Sequence, residues 1–257
     1  MPAINPTALN DELESIFSLS IRRGEYIRAV QDLLSFYADR TKRSTAISAA
    51  QETSHMMHVP APVMRTICTR IGQRGRRPDD DWLAAAEELW QSGIYEMRIV
   101  GICMLREVSL DQILERASNW AAECDDERVL QSLASEGMQS CLKSEHTRVL
   151  EAAQEWIARD PTRAFGLIVL GQLIEAGSVH DLPAIFKMLT GLASSVRGTE
   201  QDALRSLLMA IAESSPAELT AFLLEEIGCA DSRSLRFFRS LIAEIPEPYQ
   251  SQVRGAF

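Results

Sequence analysis

The sequence contains no C-x-x-C pair, no glycine-rich phosphate loop of the G-x-x-x-x-G-K-[ST] or G-x-G-x-x-G type, no G-x-S-x-G elbow and no H-E-x-x-H. These absences remove the motif-bearing nucleotide, hydrolase and zinc-protease classes. Apolar runs are broken by charge within about a dozen residues, too short to cross a bilayer. Sustained period-two alternation is missing, so no strand is expected. Hydrophobic residues make up 46% and charged residues 24%, an ordinary globular composition that excludes a disordered chain. The five cysteines are scattered and odd in number, which speaks against a disulfide framework and against a zinc cage. The N-terminal residues MPAINPTALNDELESIF lack a cationic-then-apolar signal pattern, and a cytoplasmic location is expected.

What is present is helical periodicity almost throughout. Leu130, Leu133, Ala134, Met138, Cys141 and Leu142 fall on one helix face, as do Leu204, Leu207, Leu208 and Ile211. Helix-start chemistry separates the segments. Ser109 with Gln112 forms a capping-box pattern, Asp160-Pro161 and Ser215-Pro216 set a capping side chain before proline, and Asp181 precedes Pro183. Gly93, Gly177, Gly198 and Gly228 stand at or near expected helix ends.

These signals predict helices near 8–19, 25–39, 44–57, 61–71, 80–91, 94–107, 110–122, 126–142, 146–158, 161–176, 181–194, 199–213, 216–227 and 232–244. The segments 94–107 and 161–176 are apolar nearly all round and predict inner helices covered on several sides. Short links force consecutive helices antiparallel. The expected fold is therefore all-α, an α-α superhelix of HEAT/ARM-like stacked helix pairs forming a single domain over 1–257. One clear loop is expected at 72–78, with Arg74, Arg76 and Arg77 among two glycines and a proline.

Net charge is −10, unevenly spread. Residues 40–78 hold eight Lys/Arg against one acid, whereas 79–136 hold four Arg against fourteen Asp/Glu. An acidic protein can bind a polyanion if it keeps one basic face. The Arg70–Arg77 cluster reads equally as a phosphate clamp and as a solvated connector paired with Asp79–Asp81. Glu52 and His55 have di-iron spacing but lack the second motif such a site needs, and His58, His146 and His180 have no acid or cysteine partners. No metal or cofactor is expected. Asp125-Asp126-Glu127 reads first as a helix start favoured by the dipole, and second as the place of a catalytic acid, Asp126. Trp82, Trp90 and Trp156 read as core residues, and Trp120, flanked by Asn119 and Glu123, as the better candidate for an exposed aromatic.

Several stretches resemble the AlkC/AlkD-like DNA alkylation repair family. Met57-His58-Val59-Pro60-Ala61-Pro62-Val63-Met64-Arg65 is similar to its "G-I/V-x-x-P-x-x-R" segment. Glu88-Leu89-Trp90 followed by Glu96 is similar to its "E-L-W…E" helix pair, and Trp156-Ile157-Ala158 through Gln172-Leu173 to its "W-I-x-S" to "Q-L" stretch. Ser232-Arg233-Ser234-Leu235-Arg236 is similar to its last helix. The resemblance implies a HEAT-like fold and a DNA-facing concavity. It also implies excision of cationic bases, in which a carboxylate stabilises charge on the sugar, tryptophans flank the lesion and an arginine holds the backbone.

The expected tryptophan and acid fall at Asp126 and Leu130, the arginine at Gly166 and the second tryptophan at Ser206, and none matches. A shift of a few residues brings Asp125, Asp126 or Glu127 to the acid position and Arg163 toward the arginine position. The sequence thus predicts DNA, as an alkylated or distorted duplex, bound through Arg65, Arg70, Arg74, Arg76, Arg77 and Arg163. Base excision is either lost or carried by other residues. The alternative is a HEAT-type scaffold for a basic protein partner.

Overall fold

A computed structural model of the chain describes residues 6–18, 23–38, 55–72, 80–179 and 181–257. Among the described residues there is no strand, only an isolated bridge between His55 and Ile94. The chain is all-α, of the stacked-helix repeat class that its periodicity predicts. It divides into two compact units, Met1–Trp120 with Cys124–Ser140, and Ala121–Glu123 with Cys141–Phe257.

The first unit contains α1 (Pro6–Ser18), α2 (Arg23–Tyr37), α3 (Ala61–Gly72), α4 (Asp80–Gln91), α5 (Tyr95–Met104), nearly all of α6 (Leu110–Ala122), and α7 (Glu127–Ser132). As its all-round apolar sequence predicts, α5 is the inner helix: Met97, Val100, Ile102, Cys103 and Met104 are buried, and it packs against α3, α4 and α7. Gly101 lets α4 come close, because a Cβ there would stand 2.9 Å from the Ala86 carbonyl oxygen.

The second unit follows α8 (Gln139–Ser144), which spans the division. It holds α9 (His146–Ile157), α10 (Arg163–Glu175), α11 (Leu182–Leu189), α12 (Leu192–Ser195), α13 (Thr199–Ser214), α14 (Pro216–Cys229), α15 (Ser232–Leu241) and α16 (Tyr249–Arg254). Here α10 is the inner helix, packed on α9 and α13, with Phe165, Leu167, Val169, Leu170 and Leu173 buried. Trp156 tilts against Phe165 at 4.9 Å, and Phe186 stacks on Phe222 at 4.7 Å.

Several caps follow the sequence. Gln112 accepts from the Ser109 amide at 3.2 Å, and Asp181 accepts from the Ala184 amide at 3.1 Å. Ser215 makes no capping bond. Asp231, not anticipated, caps α15 through the amides of Arg233 and Ser234.

The expected helix 126–142 is broken. After α7 the chain widens into a π-turn, Leu133–Gly137, and resumes as α8. Gly137 is pressed on α5, where a Cβ would stand 3.2 Å from Ile102 Cγ2. The Glu136 carbonyl in the turn accepts from Arg106 Nε at 3.0 Å. The expected helix 181–194 is divided at Gly191, whose φ of 73° no β-carbon residue adopts cheaply. Of the expected helix 44–57, residues 44–54 lie outside the described residues and 55–57 are not helical. The expected loop 72–78 begins where α3 ends, and residues 73–78 lie outside the described residues.

Four cysteines are buried and Cys229 is exposed. A hydrogen bond with Cys68, together with burial, pushes the Cys103 thiol well up. Among the described residues, no cluster of three or more His, Cys, Asp or Glu could hold a metal, and no helix is long and apolar enough to cross a membrane.

Candidate nucleic-acid interface and the Asp126 cluster

The six arginines read from the sequence have different surroundings. Arg65 is exposed on α3. Arg70, one turn further along α3, is ion-paired with Glu14 of α1. Arg74, Arg76 and Arg77 lie outside the described residues. Arg163, in the second unit, is 15% exposed: its guanidinium meets Asp160, Glu200 at 3.2 Å and the Ile157 carbonyl at 3.1 Å. Those three acceptors tie the start of α10 to α9 and α13.

Residues 55–60, immediately before α3, run as an extended strap across the N-terminus of α5. The carboxylate of Glu96, 1% exposed, accepts from the Met57 amide at 2.9 Å and from the Val59 amide at 3.1 Å. For amides two residues apart to converge on one carboxylate, the residue between them must turn. His58 does so in the left-handed region, at φ 58°. The buried charge is thus hydrogen-bonded, and the strained histidine is fixed by bonds on both sides. The Tyr95 amide donates to the His55 carbonyl at 2.9 Å and pins the strap's beginning. This long-range pairing overrides the helical periodicity that predicts a helix to residue 57.

Next to the strap lies the Asp126 cluster. Asp126 caps α7, accepting from the Arg128 amide at 3.1 Å, and its carboxylate is 4% exposed. The Arg128 guanidinium grips the same carboxylate through two bonds, Nε to Oδ1 at 3.1 Å and Nη2 to Oδ2 at 2.8 Å. It also lies 5.2 Å from the Tyr95 ring centroid and reaches the Met56 sulfur at 3.2 Å. Arg128 remains 45% exposed, so a partly solvated cation covers a buried anion. Burial pushes the Tyr95 hydroxyl up, and its hydrogen bond to Ser132 and the Arg128 charge pull against that. The sequence marks Asp126 but not its grouping with Arg128 and Tyr95. The arginine two residues on was visible, whereas the ring it covers comes from another helix.

The positions of the implied excision residues have structural explanations. Leu130 is 2% exposed and belongs to the core, and Ser206 is exposed on α13. No side chain fits at Gly166: a Cβ would stand 2.8 Å from the Ile157 amide nitrogen and 2.9 Å from the Ala153 carbonyl oxygen. Trp120, expected at the surface, is instead buried. It stacks on Trp90 at 4.6 Å with a 4° interplanar angle and donates from Nε1 to Glu87 at 3.0 Å. Arg98 covers the Trp90 face at 4.8 Å. Trp82 is half-buried, its Nε1 donating to the Met104 carbonyl. The four tryptophans therefore serve the packing of the two units.

A family model described as "DNA alkylation repair enzyme" matches residues 30–237. No curated protein and no solved structure matches the chain.

Proposed function

The chain belongs to the DNA alkylation repair enzyme family, and from that membership we propose that it binds DNA, as an alkylated or distorted duplex, acting as one helical-repeat domain over residues 1–257. The observation that carries the reading is the family match over residues 30–237. The charge distribution supports it: the cationic stretch 40–78, with eight Lys/Arg against one acid, lies wholly within the matched region. Arg65, Arg70, Arg74, Arg76 and Arg77 are the proposed phosphate contacts, with Arg163 joining them only if it leaves its internal pairs. Each neutralised phosphate releases counterions, so affinity falls with salt.

The proposed protein binds without the family's usual excision constellation, since Gly166, Leu130 and Ser206 stand at the implied positions. Asp126 is the carboxylate left to support excision. Release of an alkylated base from a treated duplex, lost in Asp126→Asn, would replace this reading with an active glycosylase. The direct test is duplex binding by fluorescence anisotropy across salt. A steep salt dependence supports the proposal, and absence of binding at low salt rejects it. A protein scaffold is the second reading, favoured by the net charge of −10 and by the internal pairing of Arg70, Arg106 and Arg163. A stoichiometric basic protein recovered without DNA would select it.

A further inference from the structure

Cys68 of α3 and Cys103 of α5 meet where the two helices pack. Two separate features place them together. Their side chains share a hydrogen bond. Arg106, three residues beyond Cys103, donates from Nη1 to the Cys68 carbonyl at 3.5 Å. Arg106 is itself anchored on the π-turn, by Nε on the Glu136 carbonyl at 3.0 Å and by an ion pair with the Glu136 carboxylate. The proposed function uses neither thiol.

We propose that Cys68 and Cys103 form a reversible disulfide on reaction with a hydroperoxide, and that the bond locks α3 to α5. The inference does not rest on the nucleic-acid reading. Three observations support it.

First, the two thiols differ in the way the chemistry needs. A peroxide-reactive cysteine requires thiolate character, a route from solvent and a second thiol within reach. The hydrogen bond with Cys103, and then the Arg106 charge, hold the Cys68 thiol below its ordinary value against the burial that raises it. The same bond and burial push Cys103 well up. Cys68 therefore ionises first, and Cys103 is the thiol that resolves. Second, access is one-sided. Cys68 keeps 8% exposure and Cys103 keeps none, so a small reagent arriving from solvent meets Cys68 first. Third, the bond reinforces an existing contact. The strap 55–60, which leads into α3, is held by Glu96 at the start of α5, and Cys103 stands at the end of that helix. A disulfide there fixes α3 and its strap to α5 at both ends. Hydrogen-bonded sulfurs reach bonding geometry through rotation of two short side chains.

The Cys68 thiolate attacks one peroxide oxygen and the O–O bond breaks. The leaving oxyanion takes a proton, and Cys68 becomes a sulfenic acid. The Cys103 sulfur then attacks the Cys68 sulfur, the sulfenic hydroxyl leaves as water with the Cys103 proton, and the S–S bond forms. With hydrogen peroxide, two thiols are oxidised by two electrons and the peroxide is reduced to two waters.

The test treats the reduced full chain, folded, with a small excess of hydrogen peroxide, blocks remaining thiols with iodoacetamide and digests with trypsin. Mass spectrometry should find Thr66–Arg70 joined to Ile99–Arg106, and dithiothreitol should release them. Cys124 and Cys141 should stay reduced. Cys103→Ala should lose the link and leave a Cys68 sulfenic acid that dimedone traps, whereas Cys68→Ala should leave Cys103 unoxidised. Cys103→Ser carries the same expectation where the alanine variant does not fold, and the result on the unaltered protein needs no variant. Absence of the linked peptides, pairing of Cys68 with another cysteine, or equal oxidation of all four buried thiols would overturn the proposal. Hydrogen exchange checks the lock: amides of α3 should exchange more slowly in the oxidised than in the reduced protein, and equal or faster exchange would refute it.

Discussion

Gly166 in α10 lies so close to Ile157 in α9 that a Cβ on the glycine would stand 2.8 Å from the Ile157 amide nitrogen. Five residues along the same helix, a Cβ on Gly171 would meet only Leu207 Cα, at 3.9 Å, which is ordinary contact. The two glycines therefore separate close packing from intrinsic helix preference. Gly166→Ala should destabilise the second unit by about 1–3 kcal/mol, because rigid backbone must move. Gly171→Ala should be neutral or stabilising by up to about 1 kcal/mol, as alanine is the better helix former. Urea unfolding of both variants gives the comparison, and equal effects would contradict the packing account.

The strap depends on one carboxylate. Glu96→Ala removes the acceptor of two amides, and the loss should be about 1–3 kcal/mol per donor left buried, or less where the strap lifts into water. Hydrogen exchange reads the change directly. The Met57 and Val59 amides should lose protection together in Glu96→Ala, while amides in α10 keep theirs. Unchanged exchange at the two strap amides would mean that Glu96 does not hold them.

Trp120 joins α6 to α4 by its stack on Trp90 and its bond to Glu87. Trp120→Ala should cost about 3–5 kcal/mol, in the range of large aromatic truncations. Trp120→Phe keeps a ring but loses the charged hydrogen bond, for about 1.5–3 kcal/mol. Guanidinium unfolding followed by far-UV circular dichroism measures both. A surface tryptophan would show neither loss.

The Asp231 carboxyl is held below its ordinary 3.8, chiefly by the Ser234 amide and hydroxyl, with the Arg233 amide and charge adding to it. A carboxylate depressed by folding contributes stability that is complete above its ordinary value and fades as pH falls through the lowered one. Thermal melts should therefore separate the wild type from Asp231→Ala at pH 7 and converge as the solution is acidified below 3.8. A gap that persists at the lowest pH would show that the cap acts without its charge.

Replacing Arg74, Arg76 and Arg77 together with alanine should flatten the logarithmic salt dependence of duplex binding by roughly 0.9 for each phosphate contact removed. Arg163→Ala should act on stability instead, because its guanidinium is committed to Asp160, Glu200 and the Ile157 carbonyl. Anisotropy titrations at several salt concentrations, beside a melt of each variant, distinguish the two kinds of arginine.

Local chemistry was readable in the sequence, and distant chemistry was not. The bounds of α4 and α6 coincide with the segments 80–91 and 110–122, since their start signals and apolar faces lie within one window. The all-round apolar segments became the inner helices α5 and α10 for the same reason. Residues 55–57 depart from the expected helix because Glu96, some forty positions away, captures the Met57 and Val59 amides, and the Tyr95 amide takes the His55 carbonyl. The breaks at Gly137 and Gly191 were missed because glycine inside a periodic stretch does not announce whether it is tolerated or needed. The short α16 has no long apolar face to give it away. At the candidate site, Asp126 was visible as a helix-start acid. Its partnership with the Tyr95 ring depends on how α5 and α7 meet, which no spacing rule encodes. Trp120 misled through its polar neighbours in the chain, while its neighbours in space are Trp90 and Glu87.

Reagents that alkylate nucleobases also attack sulfur, and the chain offers them little. With Cys68, Cys103, Cys124 and Cys141 enclosed, Cys229 is the one thiol standing at the surface. A maleimide dye would settle there, at the last residue of α14, giving the unaltered protein a built-in attachment point for single-molecule work.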